Sequence, residues 1–123
     1  MGCENIVQVF FHMTTSIKLY HWQTQVYARH VATDGLLTQL HQLIDQFIET
    51  YIGRYRRPEF GGRLKLDIEE LTESSAVETL RYYIRFLKTK VPMYLKEDDT
   101  DLLNLRDEIV AALNKTLYLF TLQ

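Results

Sequence analysis

The apolar residues of the first thirty positions recur at alternate steps of four and three, and this pattern constrains the fold more than any other feature. A mean step of 3.5 keeps side chains on one face of an α-helix. The pattern therefore predicts a helix over about residues 5–32. The residues of this seam are Ile6, Phe10, Met13, Ile17, Tyr20, Thr24, Tyr27 and Val31.

Three more segments show helical periodicity and none alternates like a strand. They predict helices over about residues 35–56, 75–91 and 100–121. Asp34 and Gly35 are expected to form the first turn and cap the second helix. Ser75 and Glu78 are spaced as a capping box, and Pro92 is expected to end the third helix. Asp99 or Thr100 is expected to cap the fourth.

The connections between the four helices are short, long and short. Short connections join antiparallel neighbours, whereas a connection of about 16 residues can run the length of a bundle. The chain, residues 1–123, is therefore predicted to be one all-α domain, a ferritin-like four-helix bundle with one long crossover between helices 2 and 3. The alternative is a plain up-and-down bundle with a disordered middle loop.

Composition excludes several classes of protein. The net charge is −2 and the pI about 6.1, so no global positive field attracts nucleic acid. No apolar run is long enough for a membrane span. The one cysteine favours a reducing, intracellular compartment. Gly2 and Cys3 would suit double acylation, but Ile6 stands where that signal needs Ser or Thr.

Histidines and carboxylates gather in the first half of the chain. A turn near Thr33 would place His21 level with Asp45 across a helical hairpin. Asp45 and Glu49 are one helical turn apart, with His41 one turn earlier and His30 near the turn. Imidazole and carboxylates suit iron or another first-row transition metal. The alternative is solvated carboxylates and hydrogen-bonded histidines, and both interpretations stay open. The predicted metal ligands are His21, His30, His41, Asp45 and Glu49.

The stretch "YHWQTQVYARHVATDGLLTQLHQLIDQF" resembles a ferritin-like, uncharacterised family of large DNA viruses that infect algae and other protists. More distantly it resembles the DNA-protection ferritins (Dps). The second resemblance implies iron ligands shared between two subunits, with histidines from one and an Asp–Glu pair from the other. It implies a ferroxidase-like activity if the protein is an enzyme. The first resemblance implies a location in a host cytoplasm or a virion. The spacing of His21 and His41 is 20 residues, longer than in that family.

The first helix also carries apolar residues away from its seam. A helix that is apolar on two sides usually buries both. The chain is therefore predicted to form a homo-oligomer, at least a dimer, with Trp22 as the anchor. The alternative is that the middle loop covers this face. The predicted interface residues are Phe11, Leu19, Trp22 and Val26.

A basic run follows the second helix. Cations at a helix C-terminus offset the helix dipole, and this explains part of the run. A phosphate contact is the other interpretation. The residues are Arg54, Arg56, Arg57, Arg63 and Lys65. Two functions follow from the sequence: a self-associating, Dps-like iron-binding protein, or a metal-free structural or adaptor protein with the same fold.

Overall fold

The computed structural model describes residues 2–122, and over these residues the regular structure is helical. Helices of 17 to 28 residues follow one another in the order that the periodicity predicts. A short 3₁₀ helix at Val91–Tyr94 precedes the last one. The all-α, four-helix prediction is confirmed. The helices are α1 (Glu4–Gln23), α2 (Tyr27–Arg54), α3 (Glu73–Thr89) and α4 (Thr100–Leu119).

Contacts at the two ends of the bundle give the helix directions. Arg29, early in α2, donates to the carbonyl of Glu73 at the start of α3 and lies over the ring of Phe120 after α4. Arg54, at the end of α2, pairs with Asp99 before α4. Helices α2 and α3 therefore run parallel, and α4 runs opposite to both. This is the ferritin-like arrangement.

The long crossover, residues 55–72, travels along α1. The side chain of Gln8 donates to the carbonyl of Lys65 at 3.3 Å, and His12 Nε2 donates to the carbonyl of Asp67 at 3.1 Å. His12 Nδ1 accepts from the hydroxyl of Tyr83 on α3, at 2.8 Å. One histidine thus ties the crossover to both helices, and the crossover is ordered backbone.

The first turn lies earlier than predicted. Thr24–Val26 make the bend, and Thr24 Oγ1 accepts from the backbone N–H of Val26 at 3.2 Å. Asp34 and Gly35 lie inside α2, so the predicted boundaries of 32 and 35 are wrong. Glycine lowers helix stability by about 1 kcal/mol relative to alanine. Burial of apolar neighbours such as Leu36 offsets that cost.

The third helix also begins earlier than predicted. The capping box is formed by Thr72 and Ser75, each side chain accepting from the other's backbone N–H. Ser75 is therefore the third residue of α3 and not its N-cap, and the predicted Ser75–Glu78 capping box is wrong. Asp99 stands at the N-cap of α4, but its carboxylate makes no capping bond to that helix.

The core lies between the four helices and is rich in large side chains. Phe10 on α1 meets the ring of Phe47 on α2 edge to face, with centroids 5.5 Å apart. Tyr51 and Tyr83 are fully buried, and the ring centroid of Tyr51 lies 4.7 Å from that of Tyr55. Cys3 is also fully buried, and burial raises the pKa of its thiol. None of the helices within residues 2–122 is both long enough and apolar enough to cross a membrane.

Candidate interface groove and histidine pair

An open apolar groove runs between the outer faces of α1 and α2. Its volume is about 950 Å³. Two aromatic side chains stand on its walls and face solvent: Trp22 is 68% exposed and Phe11 is 49% exposed. Aliphatic residues of α2 form the opposite wall. The full lining is Val7, Phe10, Phe11, Thr14, Thr15, Lys18, Leu19, Trp22, Leu37, His41, Ile44, Asp45, Ile48, Pro58 and Phe60.

The groove carries one cation and one anion, on opposite walls. Lys18 belongs to α1, and its Nζ lies 5.2 Å from the ring centre of Trp22. Asp45 belongs to α2 and is exposed, as is His41 one turn away. The surface is therefore apolar and close to neutral.

The start of the crossover closes one end of the groove through Pro58 and Phe60. Glu4 holds this segment, because its carboxylate accepts from the backbone N–H of Glu59 at 3.1 Å and pairs with Arg56 at 3.2 Å. The bond from Glu59, first among its causes, lowers the pKa of Glu4. Trp22 and Phe11 nevertheless stay exposed, so the crossover covers only this end of the face.

The rings of His21 and His30 stack at the opposite end of α1, beside the bend that joins α1 to α2. Their ring centroids are 4.0 Å apart and the rings are nearly parallel, at 14°. His30 Nδ1 donates to the carbonyl of His21 at 2.9 Å. Thr33 directs its hydroxyl hydrogen to the carbonyl of Arg29, so its oxygen accepts from His21 Nδ1 at 2.9 Å. Both rings therefore hold their proton on Nδ1 when neutral.

The shifted bend separates the predicted metal ligands into two groups. His21 and His30 meet, as described, but His41 lies about 16 Å further along α2 from His30. Asp45 follows one turn later in the groove, and Glu49 is exposed one turn beyond that. Within residues 2–122 no three His, Cys, Asp or Glu side chains are grouped to hold a metal. The single-chain form of the site is not assembled, and the form shared between copies stays a prediction.

Three of the four predicted interface residues line the groove: Phe11, Leu19 and Trp22. Val26 is half-buried at the bend, where it precedes the first residue of α2. Their burial by a second chain stays a prediction.

The basic run divides into engaged and exposed residues. Arg54 pairs with Asp99 at 3.2 Å and Arg56 pairs with Glu4, so both are partly neutralised. Arg57, Arg63 and Lys65 lie exposed on the crossover. The predicted phosphate contact stays a prediction. Among the described residues, these three cations take part in no ion pair, so they are the members of the run left to bind phosphate.

Sequence reasoning missed two polar clusters that hold the fold. One is the bridge from His12 to Tyr83 and the crossover, with Ser16 beside it at 3.4 Å. Desolvation raises the pKa of Tyr83 to about 12. The other cluster is centred on Asp99, which is only 3% exposed and accepts from Arg54 and Tyr55. Both join residues far apart in the chain, and no local spacing signals them.

Residues 21–120 match the model of a family of unknown function (DUF5856). The chain belongs to this family. It is also 27% identical, over 123 residues, to an uncharacterised 14.6 kDa protein from the mobD–ri intergenic region of Enterobacteria phage T4. That alignment covers all of this chain and 86% of the phage protein. No solved structure matches the chain significantly. The phage origin of the 14.6 kDa protein is compatible with a viral origin of this chain.

Proposed function

We propose that this member of the DUF5856 family is a metal-free helical structural protein that self-associates through the α1–α2 groove. The observation that carries the proposal is the exposure of Trp22 and Phe11 beside an apolar recess of about 950 Å³. Large exposed apolar patches on small proteins mark interaction sites. An aromatic ring that enters a pocket and loses its water is the usual energetic centre of such a site.

A second copy is the occupant that the groove fits best. The same surface supplies protruding rings and a recess to receive them, so it is complementary to itself. Its single cation and single anion also balance, whereas a groove for an acidic or basic partner would carry one sign of charge. A two-fold dimer uses the same patch on both copies. We place this assembly in an infected host cell or a virion, because a relative is encoded by a phage.

Trp22→Ala tests the proposal. Each dimer would bury two copies of this ring, and loss of one such anchor costs about 2 kcal/mol or more. Loss of both rings from a dimer costs about 4 kcal/mol, which corresponds to about a thousandfold weaker dimerisation. Tyr118→Ala is the matched control, because Tyr118 is 62% exposed on α4, outside the groove. Sedimentation should show wild type and Tyr118→Ala as dimers and Trp22→Ala as a monomer with unchanged helical circular dichroism. A monomeric wild type at high concentration would refute the proposal.

The second candidate is the Dps-like function, an iron-binding protein with a site shared between copies. His41 and Asp45 are one turn apart in the groove, and their donor atoms suit iron, manganese or zinc. A second copy would have to supply the other ligands, since one chain groups too few. If His21 of one copy meets Asp45 and Glu49 of the other, a His21→Ala, Asp45→Asn double variant should lose iron uptake. Iron titration that finds no uptake by wild type excludes this candidate.

A further inference from the structure

We infer that the polar cavity between α1, the crossover and α3 binds an aliphatic diamine or polyamine, a small organic cation with two or more ammonium groups. The cavity has a volume of about 500 Å³, enough for a molecule of that size. It uses a different face of α1 from the groove, so the inference is independent of the proposed function. The evidence is the set of hydrogen-bonding groups and charges on its walls.

The two amide side chains on the α1 wall already use their nitrogen atoms. Asn5 Nδ2 donates to the hydroxyl of Tyr94 at 2.9 Å, and Gln8 Nε2 donates to the carbonyl of Lys65 at 3.3 Å. The side-chain oxygens of Asn5 and Gln8 accept from no group within residues 2–122. Both oxygens are therefore left as acceptors for a ligand.

The imidazole of His12, on the same wall, is satisfied at both nitrogens. Its Nε2 donates to the carbonyl of Asp67 at 3.1 Å, and its Nδ1 accepts from the hydroxyl of Tyr83 at 2.8 Å. Because Nδ1 has one lone pair, the hydroxyl of Ser16 at 3.4 Å makes only a weak contact with it. Ser16 is 1% exposed and lines the cavity, so its oxygen is a buried acceptor that a ligand donor would satisfy.

Asp67 and Glu69 bring two negative charges to the crossover wall. Neither carboxylate takes part in an ion pair within residues 2–122, and no described lysine or arginine lines the cavity. Two carbonyls of this segment, two residues apart, accept from α1 side chains that are one helical turn, about 6 Å, apart. Exposed and half-buried residues also alternate from 63 to 69. The segment is therefore extended, and the side chains of Asp67 and Glu69 leave it on the same side.

These features select the charge and the shape of the ligand. The groups left to bind are acceptors and the unpaired charge is negative, and an ammonium group supplies three donors and one positive charge. Carboxylates on alternate residues of extended backbone are about 7 Å apart, which suits a chain with an ammonium group at each end. Tyr82, half-exposed on the α3 wall, adds an aromatic ring, and aromatic rings attract cations.

Calorimetric titration with 1,4-diaminobutane at pH 7, where aliphatic amines are charged, tests the site. Asp67→Asn and Glu69→Gln keep the size of the side chain and remove its charge, and each should weaken binding about fivefold. Glu49→Gln, at an exposed carboxylate of α2 outside the cavity, is the matched control and should bind within about twofold of wild type. Butylamine, with a single ammonium group, should bind to wild type at least about fivefold more weakly than the diamine.

Ser16→Ala separates binding in the cavity from attraction to the surface. It keeps every charge, and the loss of one hydrogen bond should weaken binding about threefold. A wild type that binds no diamine at millimolar concentration would overturn the inference, as would equal weakening by Glu49→Gln or full affinity in Ser16→Ala. Magnesium chloride is the second probe, and a site that takes up Mg²⁺ but not the diamine would also overturn it. Circular dichroism of each variant checks that the helices are intact.

Discussion

Asp99 is the buried carboxylate that joins the end of α2 to the start of α4, and its replacement by asparagine tests this reading of the fold. The carboxylate accepts from the Tyr55 hydroxyl, from the backbone N–H of Lys96 at 2.8 Å and from Arg54 Nε at 3.2 Å. Asparagine has one acceptor oxygen, and its amide would turn two hydrogens toward donors. An asparagine oxygen in the position of Oδ2 can keep the bonds from Tyr55 and Lys96, so Asp99→Asn loses the bond from Arg54 and the negative charge that strengthens the other two.

The cost can be estimated from those bonds. A hydrogen bond to a charged group contributes about twice as much as a neutral one, so removing the charge weakens each of the two remaining bonds by roughly 1 kcal/mol, and the exposed Arg54 adds little. We expect Asp99→Asn to lower the free energy of unfolding by about 2 kcal/mol at pH 7. For a domain of this size the midpoint of thermal unfolding falls by about 10 °C. Urea unfolding followed by circular dichroism measures the effect, and Asp98→Asn, at the exposed neighbouring residue, is the control.

The same residue predicts a pH dependence. The bond from Tyr55, foremost among several causes, lowers the pKa of Asp99 from its usual 3.8. The unfolded chain therefore takes up this proton at higher pH than the folded protein. The stabilisation is present above the usual pKa and is lost as the pH falls through the folded pKa. The difference in free energy of unfolding between wild type and Asp99→Asn should therefore shrink in that acid range. A variant within about 0.5 kcal/mol of wild type at pH 7 would refute the reasoning, as would a difference in unfolding free energy that stays constant as the pH falls below 3.8.

Two other predictions concern the crossover and the bend. Tyr83→Phe removes the 2.8 Å bond to Nδ1 of His12 and leaves it only the longer contact with Ser16 at 3.4 Å, so it should lower the free energy of unfolding by about 1 kcal/mol in urea titration, while Tyr82→Phe, half-exposed beside it, changes little. Equal effects of the two variants would contradict this. Gly35→Ala should raise the stability by about 0.5–1 kcal/mol, because the added methyl has no atom within 4 Å to meet and Gly35 lies inside a helix. A loss of stability would instead place a turn at this residue.

The order of helices and the crossover could be predicted because periodicity and loop length are local properties of the sequence. The position of the first bend could not. Asp34 and Gly35 are strong turn residues, yet buried neighbours on both sides hold them in α2. Thr24 and Val26, which make the bend, carry no glycine or proline signal.

The candidate sites also differ in how far local sequence signals could predict them. Trp22 was recognisable because it is apolar and lies off the seam of its helix. The metal prediction depended on the register of the hairpin, and moving the bend by about nine residues paired His21 with His30 in place of Asp45. The bridge from His12 to Tyr83 spans 71 residues, so only the folded chain brings it together.

The most extensive packing in the bundle joins α2 to α4, and these helices belong to different hairpins. Neither hairpin therefore encloses a core of its own: α2 turns its buried side chains to α4, not only to its neighbour α1. An isolated half of this chain would leave that apolar surface in water. The two halves are thus cooperative parts of one folding unit, and unfolding should proceed as one transition. A chain cut in the crossover could still function if its two fragments associated through this internal face.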